Sequence, residues 1–367
     1  MHTNLVEINT EQAEHLTQFT VRSGSNIFLF GQPGLGKTAI STQSILNTGY
    51  KCSYINLSMV ERPDLMGFPD LNSKSDLVEY KSPHFLPPLK EGAKPSSVLL
   101  VDEVDKAPQE NTAPLLELMQ SRTINGKKID VAAIILTGNT IEDRSGSNEL
   151  YKALLDRGAK YLLKFDLDKW LEWAKQNDVH DLIQGFIKHN PNLCCKTPDR
   201  ATLAFPTPRS WTLASRAIYK ARELKLTDIE TVSMIVGGFV GNEAGTKFRV
   251  WFEHFKKFEP MALSLVEKGL HPADYNQWSI TEQIVFVISA CHMARLKFVA
   301  ASKTKPKYAC IDRLCEFLSG VEPELQTLGI SGSFPLDLVV DPRYRLYQNE
   351  SFFNLSQKLS GAGAAGA

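Results

Sequence analysis

The sequence predicts an α/β chain, with a parallel five-stranded sheet over residues 1–166 and helices thereafter. Three observations lead there. Residues 31–38 read Gly31-Gln32-Pro33-Gly34-Leu35-Gly36-Lys37-Thr38, a G-x-x-x-x-G-K-T loop between an apolar run and a helix-length segment. Short apolar runs recur at 27–30, 54–57, 98–101, 131–136 and 161–165, with helix-length patterns between most of them. After Phe165 the apolar positions fall at helical spacing.

The elements follow in chain order. The run 27–30 is β-prone, and the stretch 39–47 carries Ile40 and Ile45 in an otherwise polar helix-length segment. Between them the glycines let backbone N–H groups curl around phosphates, and Lys37 adds a point charge. Gly31, Gln32, Pro33, Gly34, Leu35, Gly36, Lys37, Thr38 and Ala39 form the expected nucleotide cradle, with the Thr38 hydroxyl offered to Mg²⁺. Average residue usage would produce this pattern in roughly one chain of this size in a hundred. A nucleoside triphosphate is therefore the expected ligand.

Residues 61–92 form an irregular insert rich in Pro and charge, with a short strand expected at 77–80. The run 98–101 ends in Asp102-Glu103. Asp102 is suited to hold Mg²⁺, and Glu103 to orient and deprotonate an attacking water. Asn125-Gly126 between two short runs predicts a hairpin that presents Lys127 and Lys128. The run 131–136 leads into Thr137-Gly138-Asn139, so Asn139 is placed to hold the lytic water at the carboxyl edge of the sheet. Arg157 precedes the last core strand and is a candidate to act on a neighbouring subunit's nucleotide, with Arg144 as its competitor.

Trp170, Leu171, Trp173 and Ala174, then Leu182, Phe186 and Ile187, recur at helical spacing and read as core. Thr207-Pro208-Arg209 reads as a helix start with Thr as cap and Pro at the first helical position. A first-turn cation costs about 0.3–1 kcal/mol against the helix dipole. That cost makes sense if Arg209 reaches the γ-phosphate. Thr227-Asp228-Ile229-Glu230 reads as a capping box, and residues 361–367 as a flexible Gly/Ala tail.

Bulk composition narrows the classes. Lys+Arg 41 balance Asp+Glu 41, so nothing points to wrapping nucleic acid or to an anionic membrane surface. Six scattered cysteines offer no C-x-x-C pair and read as reduced small hydrophobes. The polar first ten residues lack a signal-peptide core, and no uninterrupted apolar run reaches a membrane span. A cytoplasmic protein without a membrane partner is expected. No N-K-x-D tetrapeptide is present, which favours ATP over GTP.

The order Gly31–Thr38, Asp102-Glu103, Asn139, Arg157, Arg209 resembles an AAA+ ATPase with a helical lid. It looks most like the MoxR-type branch of the helix-2-insert group. Arg62-Pro63-Asp64-Leu65-Met66-Gly67 resembles the lead into that insert, and Leu115 to Met119 followed by Ile124-Asn125-Gly126 the stretch before the first sensor. The resemblance covers about residues 20–245. It implies a sheet of order 5-1-4-3-2 and a P-loop NTPase core at 1–166. An α-helical lid at 167–250 follows; the helical extension at 251–360 is read from the residues and lies outside the resemblance. The resemblance further implies a homo-oligomeric ring, usually a hexamer, and Mg²⁺-ATP hydrolysis coupled to remodelling a protein client. That client often carries a von Willebrand factor A domain. The departure lies at Gly158, where the family usually has Phe after the arginine. A DNA motor or loader is the alternative function, and a nucleotide-gated scaffold a third that Glu103 argues against.

Overall fold

Six parallel strands order the first part of the chain. The computed structural model describes residues 4–73, 78–139, 152–196, 202–301, 308–334 and 336–363. These divide into two units, one within residues 4–169 and the other within residues 170–363.

In the first unit β1 (Val6–Ile8) leads into α1 (Thr10–Ser23), capped by an Asn9/Gln12 box and ended by Gly24 in the left-handed region. Then come β2 (Asn26–Phe30), α2 (Lys37–Leu46), β3 (Lys51–Asn56) and the short α3 (Arg62–Met66). A two-residue ribbon, β4 (Phe68–Pro69) with β5 (Tyr80–Lys81), precedes β6 (Ser97–Asp102) and α4 (Thr112–Ser121). The hairpin β7 (Thr123–Ile124) and β8 (Lys127–Lys128) is followed by β9 (Ile134–Gly138), α5 (Lys152–Leu155) and β10 (Ala159–Leu163).

The sheet order is β1-β10-β2-β9-β6-β3, parallel throughout. Set β1 aside and this is the 5-1-4-3-2 order that the resemblance implies. The sixth strand corrects the expected five. Three residues in a polar segment carry no periodic signal, and pairing with β10 makes them a strand. β2 and β9 are buried along their whole length, and β6 up to Val101. Phe28, Phe30, Leu99, Val101, Ile134 and Leu136 pack with Leu115, Leu118 and Met119 in one cluster. Ile27, Leu29, Val98, Leu100 and Ile135 pack with Ala13, Val21 and Ile45 in the other. Alternate residues of each strand thus feed opposite faces, as a doubly covered parallel sheet requires.

Boundaries differ from expectation for local reasons. β3 starts at Lys51 because it is an edge strand, where polar residues are tolerated. β9 starts at Ile134 because Asp130 is turned aside, its carboxylate accepting from Ser96 N (2.5 Å) and Ser96 Oγ (2.6 Å). β10 starts at Ala159 because Gly158 lies against β2. A Cβ there would sit 2.9 Å from Phe28 Cε2 and 3.1 Å from the Asn26 carbonyl oxygen. The strand expected at 77–80 keeps only Tyr80, and Leu77 lies outside the described residues. The Asn-Gly hairpin forms with φ 49° at Asn125 and 73° at Gly126, both positive as a type I′ turn needs.

The second unit is helical. It takes in α6 (Leu167–Gln176) from Trp170 onward, α7 (Asp181–His189), α8 (Pro208–Glu223) and α9 (Ile229–Val240). The long α10 (Asn242–Lys268) and α11 (Ile280–Ala301) precede α12 (Ala309–Ser319), α13 (Pro323–Ser333), α14 (Leu336–Val340) and α15 (Glu350–Gly363). Trp211 is fully buried, with ring centres 5.4 Å from Phe186 and its Nε1 donating to the Leu193 carbonyl at 2.7 Å. Trp173, expected in the core, is 41 % exposed, while Trp170, Leu171 and Ala174 are buried. Asp228, not Thr227, caps α9 by accepting from Thr231 N. α15 runs to Gly363, so the expected tail begins inside a helix. Among the described residues none of the six cysteines is joined in a disulfide. Among the described residues one helix, Ile280–Ala301, is long and apolar enough to cross a membrane, and most of it is buried inside this unit.

At the start of α7 the buried Asp181 accepts from His292 Nδ1 at 2.8 Å and from Arg295 at 3.2 Å, while the His180 ring stacks on His292. Burial first, then the neighbouring His292, lowers His180 to about 3 against the pull of Asp181. A histidine depressed on folding stabilises fully above its unfolded value near 6.5. That contribution fades as pH falls from there toward 3, by up to about 1.4 kcal/mol per pH unit. His180→Asn retains an acceptor for Leu182 N and removes the titration. Urea unfolding at pH 7 and pH 5 is expected to show wild-type stability falling by about 1–2 kcal/mol more than the variant's.

Candidate functional site

The carboxyl ends of β2, β6 and β9 lie at one edge of the sheet, with Phe30 beside Gly138 and Val101 beside Leu136 in register. Residues that leave these ends meet there. After Phe30 the chain turns through Gly34 (φ 80°) and Gly36 (φ 89°), positive values that favour glycine, and α2 starts at Lys37. Gly31 is also needed for space, since a Cβ would approach the Leu163 carbonyl oxygen to 2.9 Å. Lys37, only 8 % exposed, donates to the carbonyls of Gly31 (2.8 Å) and Gln32 (2.9 Å) and to Asn139 Oδ1 (3.2 Å).

Thr38 Oγ1 donates to Asp102 Oδ2 at 2.9 Å, joining the start of α2 to the end of β6. Asp102 Oδ1 accepts from Thr137 Oγ1 and from the Glu103 N–H (3.0 Å). A hydroxyl and a carboxylate brought together beside an anion-binding loop suit Mg²⁺, which takes few protein oxygens and keeps phosphate and water as its other ligands. Thr38 and Asp102 would hold the ion, which would supply positive charge against that of the phosphates. Glu103 takes the left-handed conformation (φ 54°). Ser58 Oγ donates to its Oε2 at 2.8 Å and Lys106 Nζ to its Oε1 at 3.2 Å. Burial raises the Glu103 carboxyl, but hydrogen bonds from Ser58 and Lys106, the Lys106 charge and Asn56 outweigh it. The group is therefore held below the usual glutamate range and is anionic at neutral pH.

Asn139 follows β9 directly. Its N–H donates to Asp105 Oδ1 at 3.0 Å and its Nδ2 to Asp105 Oδ2 at 3.4 Å. Thr38, Lys37, Asp102, Glu103 and Asn139 are thus gathered at one edge, as the sequence spacing predicts. Sequence reasoning missed Thr137, Ser58 and Asp105. Asp105 carried a signal, as the third carboxylate in Asp102-Glu103-Val104-Asp105. Ser58 and Thr137 carried none, because short polar residues at strand ends are common.

Arg157 lies at the other end of the sheet. Its carbonyl accepts from Asn26 Nδ2 at 2.8 Å, and Asn26 opens β2 while the loop follows Phe30 at that strand's far end. Five residues of strand separate the two ends by about 16 Å. The Arg157 guanidinium donates to the Ala153 carbonyl and to Gln120 Oε1 (3.3 Å). It lines a cavity of about 620 Å³ with Arg122 and Lys128. Arg209 is exposed in the first turn of α8, where Thr207 accepts from Ser210 N and Pro208 opens the helix, as expected. It belongs to the second unit and the loop to the first. Arg144 lies outside the described residues.

Residues 26–158 match the family model of the AAA domain, dynein-related subfamily. Among solved structures, a Cytophaga hutchinsonii chain described only as a candidate ATPase is 16 % identical. That alignment covers 77 % of this chain and 74 % of the other, with a TM-score of 0.32. The RuvB Holliday junction branch migration motor of Thermotoga maritima is 14 % identical over 73 % of this chain and 79 % of that one, with a TM-score of 0.37. No curated protein matches the sequence. On the family match and the geometry of the sheet edge together, residues 26–158 form an AAA domain, and the chain is an ATPase.

Proposed function

We propose that this chain couples ATP hydrolysis to the remodelling of a partner protein, in the manner of a MoxR-type AAA+ ring. In this reading Lys37 and the loop hold the phosphates, while Thr38 and Asp102 hold Mg²⁺. Glu103 takes a proton from the attacking water and Asn139 positions it. Arg209 senses the γ-phosphate from a lid at 167–250, and residues 251–360 extend that lid. The observation that carries the ring is the position of Arg157, a sheet's length from its own loop. That position supports a role for Arg157 at a neighbouring copy's site over one at its own loop.

Three exposed apolar residues within the insert support a protein client. Phe68, Leu71 and Val78 are 61 %, 93 % and 73 % exposed around the β4–β5 ribbon. Asn125 Nδ2 donates to the Met66 carbonyl and Lys127 Nζ to the Tyr80 carbonyl, both at 2.8 Å, bracing that ribbon on the β7–β8 hairpin. Exposed apolar residues on a braced projection suit contact with another polypeptide better than with phosphate. A client with a von Willebrand factor A domain is the partner class the sequence resemblance favours.

The test is complementation. Arg157→Ala alone and Lys37→Ala alone are each expected to lose at least about 100-fold in turnover. Mixed, they pair an intact loop with an intact neighbouring arginine, and a measurable share of turnover is expected to return. A mixture as inactive as its parts would remove Arg157 from the shared site. Stimulation by DNA, falling steeply with salt, would replace the protein client with nucleic acid.

A further inference from the structure

Asp105 is a buried carboxylate that the mechanism so far leaves without a task. It is 1 % exposed, in a short 3-10 turn at 104–106 that follows the left-handed Glu103. That turn folds the chain back under the end of β9. Asp105 Oδ1 accepts from the Asn139 N–H and Oδ2 from Asn139 Nδ2, while Lys37 Nζ donates to Asn139 Oδ1. Gly138 makes this approach possible, since a Cβ on it would sit 2.9 Å from Asp105 Oδ1 and 3.2 Å from Val104 Cγ1.

The donor and acceptor chemistry leaves the amide one orientation. An ammonium only donates, and an ionised carboxylate only accepts. The Asn139 side chain between them must turn its oxygen to Lys37 and its nitrogen to Asp105. A flipped amide would set nitrogen against ammonium and oxygen against carboxylate, losing both bonds. Hydrogen bonding in a buried setting is costly to leave unsatisfied, so the orientation is held firmly.

We propose that Asp105 is the positioning residue that aims the Asn139 oxygen at the phosphate loop, so that the amide presents an acceptor to the attacking water. This rests on the reading of Asn139 as the residue that positions that water. Asp105 is 1 % exposed, and its carboxylate oxygens accept from Asn139. It acts through Asn139, and its removal changes the rate of the chemical step, not the affinity for ATP.

The experiment is a double-mutant cycle in the full-length protein, with ATP turnover and ATP affinity read separately. Asp105→Asn keeps the shape but sets an amide NH2 against one of the two Asn139 donors, its backbone N–H or its Nδ2. Turnover is expected to fall about 10- to 100-fold, as for other supporting partners of site residues, with ATP affinity within threefold of wild type. In an Asn139→Ala background the same substitution is expected to change turnover less than twofold, because the residue it acts through is gone. Asp105→Ser repeats the cycle with a smaller side chain, and retained ATP binding shows that each variant is folded. If Asn139→Ala alone leaves turnover intact, the reading of Asn139 fails and this inference falls with it. If Asn139→Ala is impaired but Asp105→Asn matches wild type, or costs as much with Asn139 absent as with it present, the inference alone is overturned.

Discussion

Glu103→Gln is expected to cut ATP turnover by about 10²- to 10⁴-fold while leaving ATP binding within a few-fold of wild type. The amide has the carboxylate's size and can still accept from Ser58 through its oxygen. What it loses is the ability to take a proton. The groups assigned to the nucleotide and Mg²⁺, namely Lys37, Thr38 and Asp102, have their own partners and do not lean on the Glu103 side chain. Turnover at saturating ATP beside a binding titration separates the two effects. Sedimentation in ATP then reads assembly of the same variant, and the proposed ring is expected to persist longer because the nucleotide is not consumed. A variant that turns over within tenfold of wild type would take the base role from Glu103. The depressed Glu103 carboxyl adds a pH expectation. Its anionic form persists below the usual glutamate range, so the acid limb of wild-type activity is not set by this group near pH 5.

Lys37→Ala is expected to weaken ATP binding by at least about 100-fold. Two losses combine. The charge opposite the phosphates disappears, and charge-assisted hydrogen bonds of this kind contribute about 1.5–3 kcal/mol each. The loop also loses the ammonium that ties the carbonyls of Gly31 and Gln32. Calorimetric titration with ATP measures the sum. Fold should survive, because the sheet's two apolar clusters do not include Lys37. Affinity within a few-fold of wild type would mean that the loop amides alone hold the phosphates.

Much of the site was legible before any coordinates because it is made of consecutive residues at the ends of apolar strands. Gly31 to Thr38 is contiguous, Asp102-Glu103 ends one strand and Asn139 follows another. Alternation and run length place the strands, and a buried parallel sheet aligns their carboxyl ends, so the three segments converge without long-range information. Thr207 and Pro208 were legible likewise, since a helix start is written in neighbouring residues. Where the same local reasoning failed, a competitor stood one residue away, as with Asp228 capping α9 in place of Thr227.

Other features depended on distance through space. β1 is a strand only because β10 offers a pairing edge. Ser58 binds Glu103 across 45 positions of sequence, Thr137 binds Asp102 across 35, and Asp105 binds Asn139 across 34. Gly158 has no role readable from the chain, yet the wall made by Phe28 and Asn26 leaves no room for a side chain. The residues proposed to meet phosphate, metal and water were placed by local chemistry and strand periodicity. Their supporting partners were decided by which strand ends the folded sheet brings within hydrogen-bond reach, and a one-dimensional pattern does not contain those distances.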